Sequence, residues 1–326
     1  MSMKVKKIVS LFASIMLLTA VMAGCGNGGQ GGQDGNDQPY IAVVAKGFQH
    51  QFWQSVKTGA EKAAADYNIK ITFEGPDTEA QIDKQVDMLS SALNKNPKAI
   101  CLAALDSKAV VASLQKAKDR NIPVVGFDSG VESDIVVATA ATDNKAASAA
   151  AADKMAEAIG GSGKIAMVVH DQTSKTGQER RDGFKDRIAS KYPDISIVDI
   201  QYGDGDHLKS AEAAKSIINA NPDLKGIYGA NEGSAIGVVM AVEELNKTGT
   251  IQVVGFDSGK KQIDAIRSGL EYGAVTQDPI QIGYKAVEAA YKAYKGEEVQ
   301  KLIDTGYKWY DKSNVDSAEI KPLLYE

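Results

Sequence analysis

From Tyr40 onward, short apolar runs alternate with segments of helical period. The runs fall at 40–45, 69–73, 99–105, 122–127 and 135–140, and the segments between them, at 52–67, 79–95 and 107–120, repeat apolar residues every three to four positions. A run with no polar face is a strand buried on both sides, and strand–helix–strand succession builds a parallel sheet with helices on both faces. The scheme then restarts. Strands are predicted at 164–169, 195–200, 225–229, 251–256 and 272–276, with helices at 177–191, 207–220, 233–246 and 259–269. The pattern predicts an α/β protein of two similar doubly wound parallel-sheet lobes. A helix at 279–295 and a strand at 299–305 follow the second sheet without opening a third, which returns the chain to the first lobe, and residues 306–326 cross again. Such crossings form a multi-strand hinge, where a few backbone dihedrals absorb a closing motion. The first lobe is assigned residues 40–142 plus 278–304, the second 143–277 plus 305–326.

Two stretches are nearly identical. Residues 122–130 read Ile-Pro-Val-Val-Gly-Phe-Asp-Ser-Gly and residues 251–259 read Ile-Gln-Val-Val-Gly-Phe-Asp-Ser-Gly, differing only at Pro123 and Gln252. Each is an apolar run that stops at an acid before a glycine turn, so Asp128 and Asp257 stand at the carboxyl tips of strands. In open α/β sheets ligands bind in the crevice outside those tips. An aspartate there also caps a following helix well, but its recurrence favours two like sheets facing one ligand.

Composition narrows the function classes. The 326 residues, 44% hydrophobic and 24% charged, suffice for two ordinary domains with sizeable cores. The formal charge of −5 becomes −8 without residues 1–24, which hold Lys4, Lys6 and Lys7 and no acid, leaving 34 basic groups against 42 acidic. That surface repels nucleic acid and acidic lipid, and no basic stripe with interleaved aromatics offsets it. The amino end reads as a signal peptide: three lysines, an apolar stretch from Ile8 to Met22, then Met22-Ala23-Gly24-Cys25, which resembles a bacterial lipobox. The resemblance implies cleavage before Cys25, lipid on its sulfur, and anchoring to the extracytoplasmic face of the cell membrane. The competing reading is an ordinary secretory signal with an incidental cysteine. Residues 25–39, rich in glycine and polar throughout, form a flexible tether. Cys101 lies in an apolar run and reads as a small core residue. His50, His170 and His207 lack ligand spacing, and Asp204 and Asp206 lack the twelve-residue calcium pattern, so neither metal nor cofactor is expected.

The chain resembles the sugar-binding type I family of solute-binding proteins of bacterial ABC transporters, the group holding the ribose-, allose- and galactose-binding proteins. The likeness runs from Tyr40 to about Tyr310. It rests on Ile41-Ala42-Val43-Val44-Ala45-Lys46 with Phe52-Trp53, on the two aspartate segments, on Glu179-Arg180-Arg181-Asp182-Gly183-Phe184, on Ala230-Asn231-Glu232, and on Thr276-Gln277-Asp278-Pro279. It implies a periplasmic binding protein type I fold with a sugar held between the lobes, and ligand contacts at Lys46, Phe52, Trp53, Asp128, Ser129, Arg180, Asn231, Asp257 and Gln277, with His50 a further candidate. The chemistry of these residue types agrees. Carboxylates accept from sugar hydroxyls, Arg and Lys donate, Asn and Gln do both, and aromatics cover the apolar C–H face.

Each residue also has a plain structural use. Phe52 and Trp53 open a helix, where an aromatic serves the core as readily as a ligand; Lys46 could be a surface lysine, Asn231 and Gln277 could close turns, and His50 could face ligand or solvent. Arg180 and Arg181 are adjacent and project differently, and the family position favours Arg180. The chain departs from the family at His50, Gln51 and Ser129, and no aromatic stands at the second lobe's stacking position, for which Tyr202 and His207 are the available substitutes. The expected function is a monomeric extracellular lipoprotein that delivers a monosaccharide to an ABC transporter permease. Two other classes compete: a sensory receptor for a sugar-like signal such as a furanosyl autoinducer, and a glycosidase using Asp128 and Asp257 as its carboxylate pair.

Overall fold

The computed structural model describes residues 38–325. The signal segment, Cys25 and the tether up to Asp37 lie outside the described residues. The first sheet comprises β1 (Tyr40–Val44), β2 (Lys70–Glu74), β3 (Ala99–Leu102), β4 (Val124–Phe127), β5 (Val136–Ala141) and β11 (Leu302–Asp304). Its order is β2-β1-β3-β4-β5-β11, parallel throughout. The second comprises β6 (Gly163–Val169), β7 (Ile195–Tyr202), β8 (Leu224–Gly229), β9 (Gln252–Phe256), β10 (Gly273–Gln277) and β12 (Tyr307–Asp311). Its order, β7-β6-β8-β9-β10-β12, repeats the first, except that β12 runs antiparallel to β10. The central strands are buried on both faces, which explains their apolar runs.

The helices are α1 (Gln51–Asp66), α2 (Ile82–Asn94), α3 (Val111–Asp119), α4 (Asn144–Ala158), α5 (Lys175–Lys191), α6 (His207–Ala220), α7 (Glu232–Glu244), α8 (Lys260–Ser268) and α9 (Pro279–Tyr294). The apolar periodicity does not reveal α4. Its sequence is alanine on most sides, so it has high helix propensity but no polar–apolar contrast, and Asp143 starts it by accepting from the Ala146 N–H at 3.0 Å.

The chain passes between the lobes three times. After β5, α4 packs on α5 and on β9 and β10 of the second lobe; after β10, α9 returns to pack on α1 and on β3, β4 and β5 of the first; β11 and β12 then join different sheets. Beyond β12, Val315 and Ile320 pack with Ile263, Ile266 and Tyr310. Tyr325 lays its ring against Phe52, and its hydroxyl oxygen accepts from the Ser258 N–H at 2.9 Å. Cys101 is buried and its thiol donates to the Ala286 carbonyl at 3.4 Å, so it is a core residue whose pKa burial pushes up.

The return of α9 depends on reciprocal glycines. A Cβ at Gly59 of α1 would strike the Ile280 carbonyl, and one at Gly283 of α9 would strike the Val56 carbonyl. The two backbones therefore touch, and around the crossing Val56, Ala60, Ala63, Ile282, Ala286 and Ala290 are buried. Gly283→Ala should destabilise the protein by about 1–3 kcal/mol through overpacking. Chemical denaturation checks it, and an unchanged midpoint would show that the helices can part without cost.

Candidate ligand-binding site

The repeated segments place their acids by the same backbone device. Asp128 and Asp257 have φ of 52° and 81°, the left-handed region that non-glycine residues avoid. In each, the N–H donates to the next strand: Asp128 to the Ala140 carbonyl at 3.0 Å, Asp257 to the Val275 carbonyl at 2.7 Å. The turn leaves each carboxylate in the lining of the space between the strand tips.

Between the tips lies a chamber lined by Lys46, His50, Phe52, Trp53, Glu79 and Asp128 from the first lobe and His170, Thr176, Arg180, Asn231, Asp257 and Gln277 from the second. It is small. The centre of a water-sized sphere has about 20 Å³ in which to move, room for one or two waters. A ligand of several times that size enters only if the lobes part.

Lys46 follows β1 and is 2% exposed, its ammonium 3.7 Å from both Glu79 of its own lobe and Asp171 of the other. It also donates to Ser174 Oγ at 3.5 Å and Thr176 Oγ1 at 3.4 Å, both second-lobe groups. Burial alone would lower its pKa, but Glu79, Asp171 and Asp128 outweigh burial and hold it above the usual range. Burial conversely favours protonated Glu79, yet the Lys46 ammonium and the Trp53 indole hold its carboxyl below the usual range. Trp53 Nε1 donates to Glu79 Oε1 at 2.8 Å while its ring meets Phe52 and Phe127 edge-on, so Phe52 and Trp53 line the chamber and belong to the core at once.

Arg180 projects from α5 into the chamber, and Arg181 turns outward to Asp182 and Tyr202. The Arg180 guanidinium lies 3.7 Å above the Phe256 ring, donates to Asn144 Oδ1 at 2.8 Å and to the Ala230 carbonyl at 3.0 Å, and stands 3.6 Å from Asp257 Oδ2. Asp257 is well supplied: Oδ2 accepts from the Glu232 N–H at 2.9 Å and Oδ1 from Gln277 Nε2 at 2.7 Å. Asn231 caps α7 by accepting from the Ser234 N–H at 2.8 Å. Ser129 stands one step behind the chamber, donating to Asp128 at 3.3 Å. Tyr202 and His207 do not line it; His207 sits with its ring centroid 5.8 Å from that of His50.

Three side-chain atoms of the lining are buried without a hydrogen-bond partner: His50 Nδ1, His170 Nδ1 and Gln277 Oε1. For His50 the proton can be placed. Gln49 accepts from the Glu79 N–H through Oε1 and donates to the Gly205 carbonyl through Nε2, which fixes its amide; that Nε2, 2.9 Å from His50 Nε2, makes this ring nitrogen the acceptor. Burial lowers the His50 pKa, so the ring is neutral with its proton on Nδ1, an unused donor. Burial also lowers the His170 pKa. Sequence reasoning missed Glu79, His170, Asp171, Thr176 and Glu232. His170 and Asp171 carried a signal, since they follow the apolar run 164–169 as Asp128 follows 122–127; Glu79 carried none.

A family profile described as a periplasmic binding protein domain matches residues 41–298. The D-allose-binding periplasmic protein of Escherichia coli is 29% identical over 266 residues, 79% of this chain and 85% of that one. The ribose import binding protein RbsB of the same organism is 27% identical over 300 residues, covering 91% and 96%. Among solved structures, an ABC transporter solute-binding protein from Agrobacterium vitis with α-D-tagatopyranose bound superposes with a TM-score of 0.85 at 32% identity, covering 89% of this chain and all of that one. A second from the same organism, with D-fucose bound, gives 0.84 at 36%, covering 88% and all.

Burial in the closed chamber pushes Asp128 up to about 6, against the pull of Lys46 and Arg180. In an open cleft the carboxyl returns toward its ordinary value near 4. The closed form thus binds the proton more tightly, and Asp128 opposes closure increasingly as pH rises from about 4 through 6. Asparagine carries no such charge and tolerates positive φ. At pH 8, ligand-free Asp128→Asn protein should be more compact by small-angle scattering than the wild type, with the gap shrinking toward pH 4. Equal compaction at pH 8 would contradict the assignment.

Proposed function

The chain belongs to the periplasmic binding protein family, and from that premise we propose that it captures a monosaccharide between its two lobes and delivers it to the permease of an ABC transporter. The observation that carries the reading is the chamber itself: buried donors and acceptors from both lobes, with two aromatic rings on one side, around a space that opens only when the lobes part. Hydroxyls that both donate and accept suit such a lining, and a sugar lacking one of them leaves a buried partner unpaired, which sets specificity. The relatives named for allose and ribose, and the neighbours holding tagatose and fucose, support a monosaccharide.

The moving bodies in this reading are residues 40–142 with 278–304 and residues 143–277 with 305–326. The ligand-binding residues are Lys46, Phe52, Trp53, Asp128, Arg180, Asn231, Asp257 and Gln277, with His50 as a donor and Ser129 as the support of Asp128. The protein binds without chemistry: both Asp257 oxygens already accept hydrogen bonds, which suits a fixed acceptor better than a nucleophile. It acts as a monomer held to the outer face of the cell membrane by lipid on Cys25. Among the described residues no helix is long and apolar enough to cross a membrane.

A thermal-shift screen against pentoses, hexoses and ketoses tests the substrate class, since a ligand that binds only the folded state raises the melting temperature. At least one monosaccharide should do so. Calorimetry with that sugar should show Asp257→Ala binding at least about tenfold more weakly, the cost of unpaired hydroxyls in a desolvated site. Wild-type affinity in the variant would remove Asp257 from the site. Separately, Cys25→Ser should release the protein from washed membranes, and its retention there would refute the anchor.

A further inference from the structure

His170 follows β6 at the edge of the second sheet, lines the chamber and is 2% exposed, and its Nδ1 is buried without a partner. Its other nitrogen ends a chain of contacts that crosses the cleft. His170 Nε2 lies 3.2 Å from Thr176 Oγ1, Thr176 Oγ1 lies 3.2 Å from Ser129 Oγ of the first lobe, and the Ser129 hydroxyl donates to Asp128 Oδ2 at 3.3 Å. Each hydroxyl has one proton, so the order of donors follows from the end of the chain. An ionised Asp128 can only accept, and it takes the Ser129 proton. Ser129 then accepts from Thr176, whose two lone pairs are left for the Lys46 ammonium at 3.4 Å and for His170. His170 therefore donates through Nε2. Ser174 Oγ, 3.2 Å from Thr176, does not compete for the Thr176 proton, because it gives its own to Asp171 Oδ2 at 2.7 Å and accepts from the Gly177 N–H and Lys46. Asp171 Oδ2, 3.7 Å from His170 Nε2, favours a proton on the same nitrogen. Burial keeps the ring neutral, which leaves Nδ1 with a bare lone pair.

We propose that His170 is a specificity-determining ligand contact whose Nδ1 accepts the proton of a sugar hydroxyl, with Ser129 and Thr176 as the positioning residues that set this sense. The inference rests on the sugar-binding reading above and adds a residue to it. His50, on the first lobe, presents the opposite polarity, an Nδ1–H donor without a partner. The chamber thus meets its ligand with a histidine donor from one lobe and a histidine acceptor from the other. A sugar with a hydroxyl beside His170 satisfies a nitrogen that is otherwise dry, whereas a deoxy analogue leaves it unpaired. Ser129 and Thr176 belong to different lobes, so closure itself fixes the sense of the acceptor.

The test uses the full chain at pH 8, where Asp128 is ionised, with D-ribose, D-allose, D-tagatose and D-fucose as probes. Two-bond nitrogen–proton NMR correlations read which ring nitrogen of His170 carries the proton. With whichever sugar binds, the wild type should carry it on Nε2, and Ser129→Ala, which frees the Thr176 proton to turn to His170, should move it toward Nδ1. His170→Phe, which keeps a ring without nitrogens, should bind that sugar at least about tenfold more weakly, and His170→Asn, whose side-chain oxygen stands near the place of Nδ1, should recover part of the loss. A proton on Nδ1 in the wild type, an unmoved proton in Ser129→Ala, or wild-type affinity in His170→Phe would overturn the assignment. Should His170→Phe fail to fold, the proton positions in the wild type and Ser129→Ala decide. If none of the four sugars binds, the sugar reading is revised and the ligand-free protein decides: a proton on Nε2 that moves in Ser129→Ala upholds the acceptor, and a proton on Nδ1 overturns it.

Discussion

Lys46 sets the terms for the cleft. Its ammonium is almost wholly buried, and its ion partners come from both lobes, Glu79 from one and Asp171 from the other. A buried charge costs several kcal/mol unless it is paired and hydrogen-bonded, so this cluster is tolerable closed only because the lobes complete it together. Arg180 obeys the same rule within the second lobe, where Asn144, the Ala230 carbonyl, the Phe256 face and Asp257 surround it. When the cleft opens, the groups at its surface regain water. The site can therefore be polar enough to read hydroxyls without binding the lobes permanently to one another, and the balance is left for the ligand to tip.

The fold supplies two matched edges for that balance. Each sheet carries at a strand tip an aspartate held in left-handed backbone by a hydrogen bond to its neighbouring strand, and both aspartates line the same chamber. The crossings after β5, β10 and β11 connect the lobes at one side, while the starts of α1 and α8 meet where Gln51 Oε1 accepts from the Lys260 N–H. Short connections of this kind are where a few backbone dihedrals absorb a closing motion.

The elements legible in sequence were those whose residues declare their environment locally. Continuous apolar runs gave the central strands, and the repeated aspartate segment gave two of the chamber's carboxylates. What stayed hidden depends on partners distant in sequence. Glu79 sits in a loop ahead of α2 and resembles any surface acid until Lys46 and Trp53 converge on it. Glu232 reads as an ordinary first-turn glutamate of α7, although burial and Asp257 push its pKa up to about 8. The alanine face of α4 carries no periodicity, and β12 is defined by pairing with β10 rather than by its own alternation. The choice between Arg180 and Arg181 is settled in the fold by Asp182 and Tyr202, which draw Arg181 away.

The central claim is that a monosaccharide is held by both lobes at once and closes them. Spin labels at Lys116→Cys on α3 and Glu212→Cys on α6, both exposed positions on different lobes, in a Cys25→Ser background with Cys101 buried and unreactive, would report the separation by pulsed dipolar spectroscopy. The account predicts a broad or long distance distribution without sugar, collapsing to a single shorter distance on saturation with a sugar that raises the melting temperature. A sugar that binds yet leaves the distribution unchanged would contradict it.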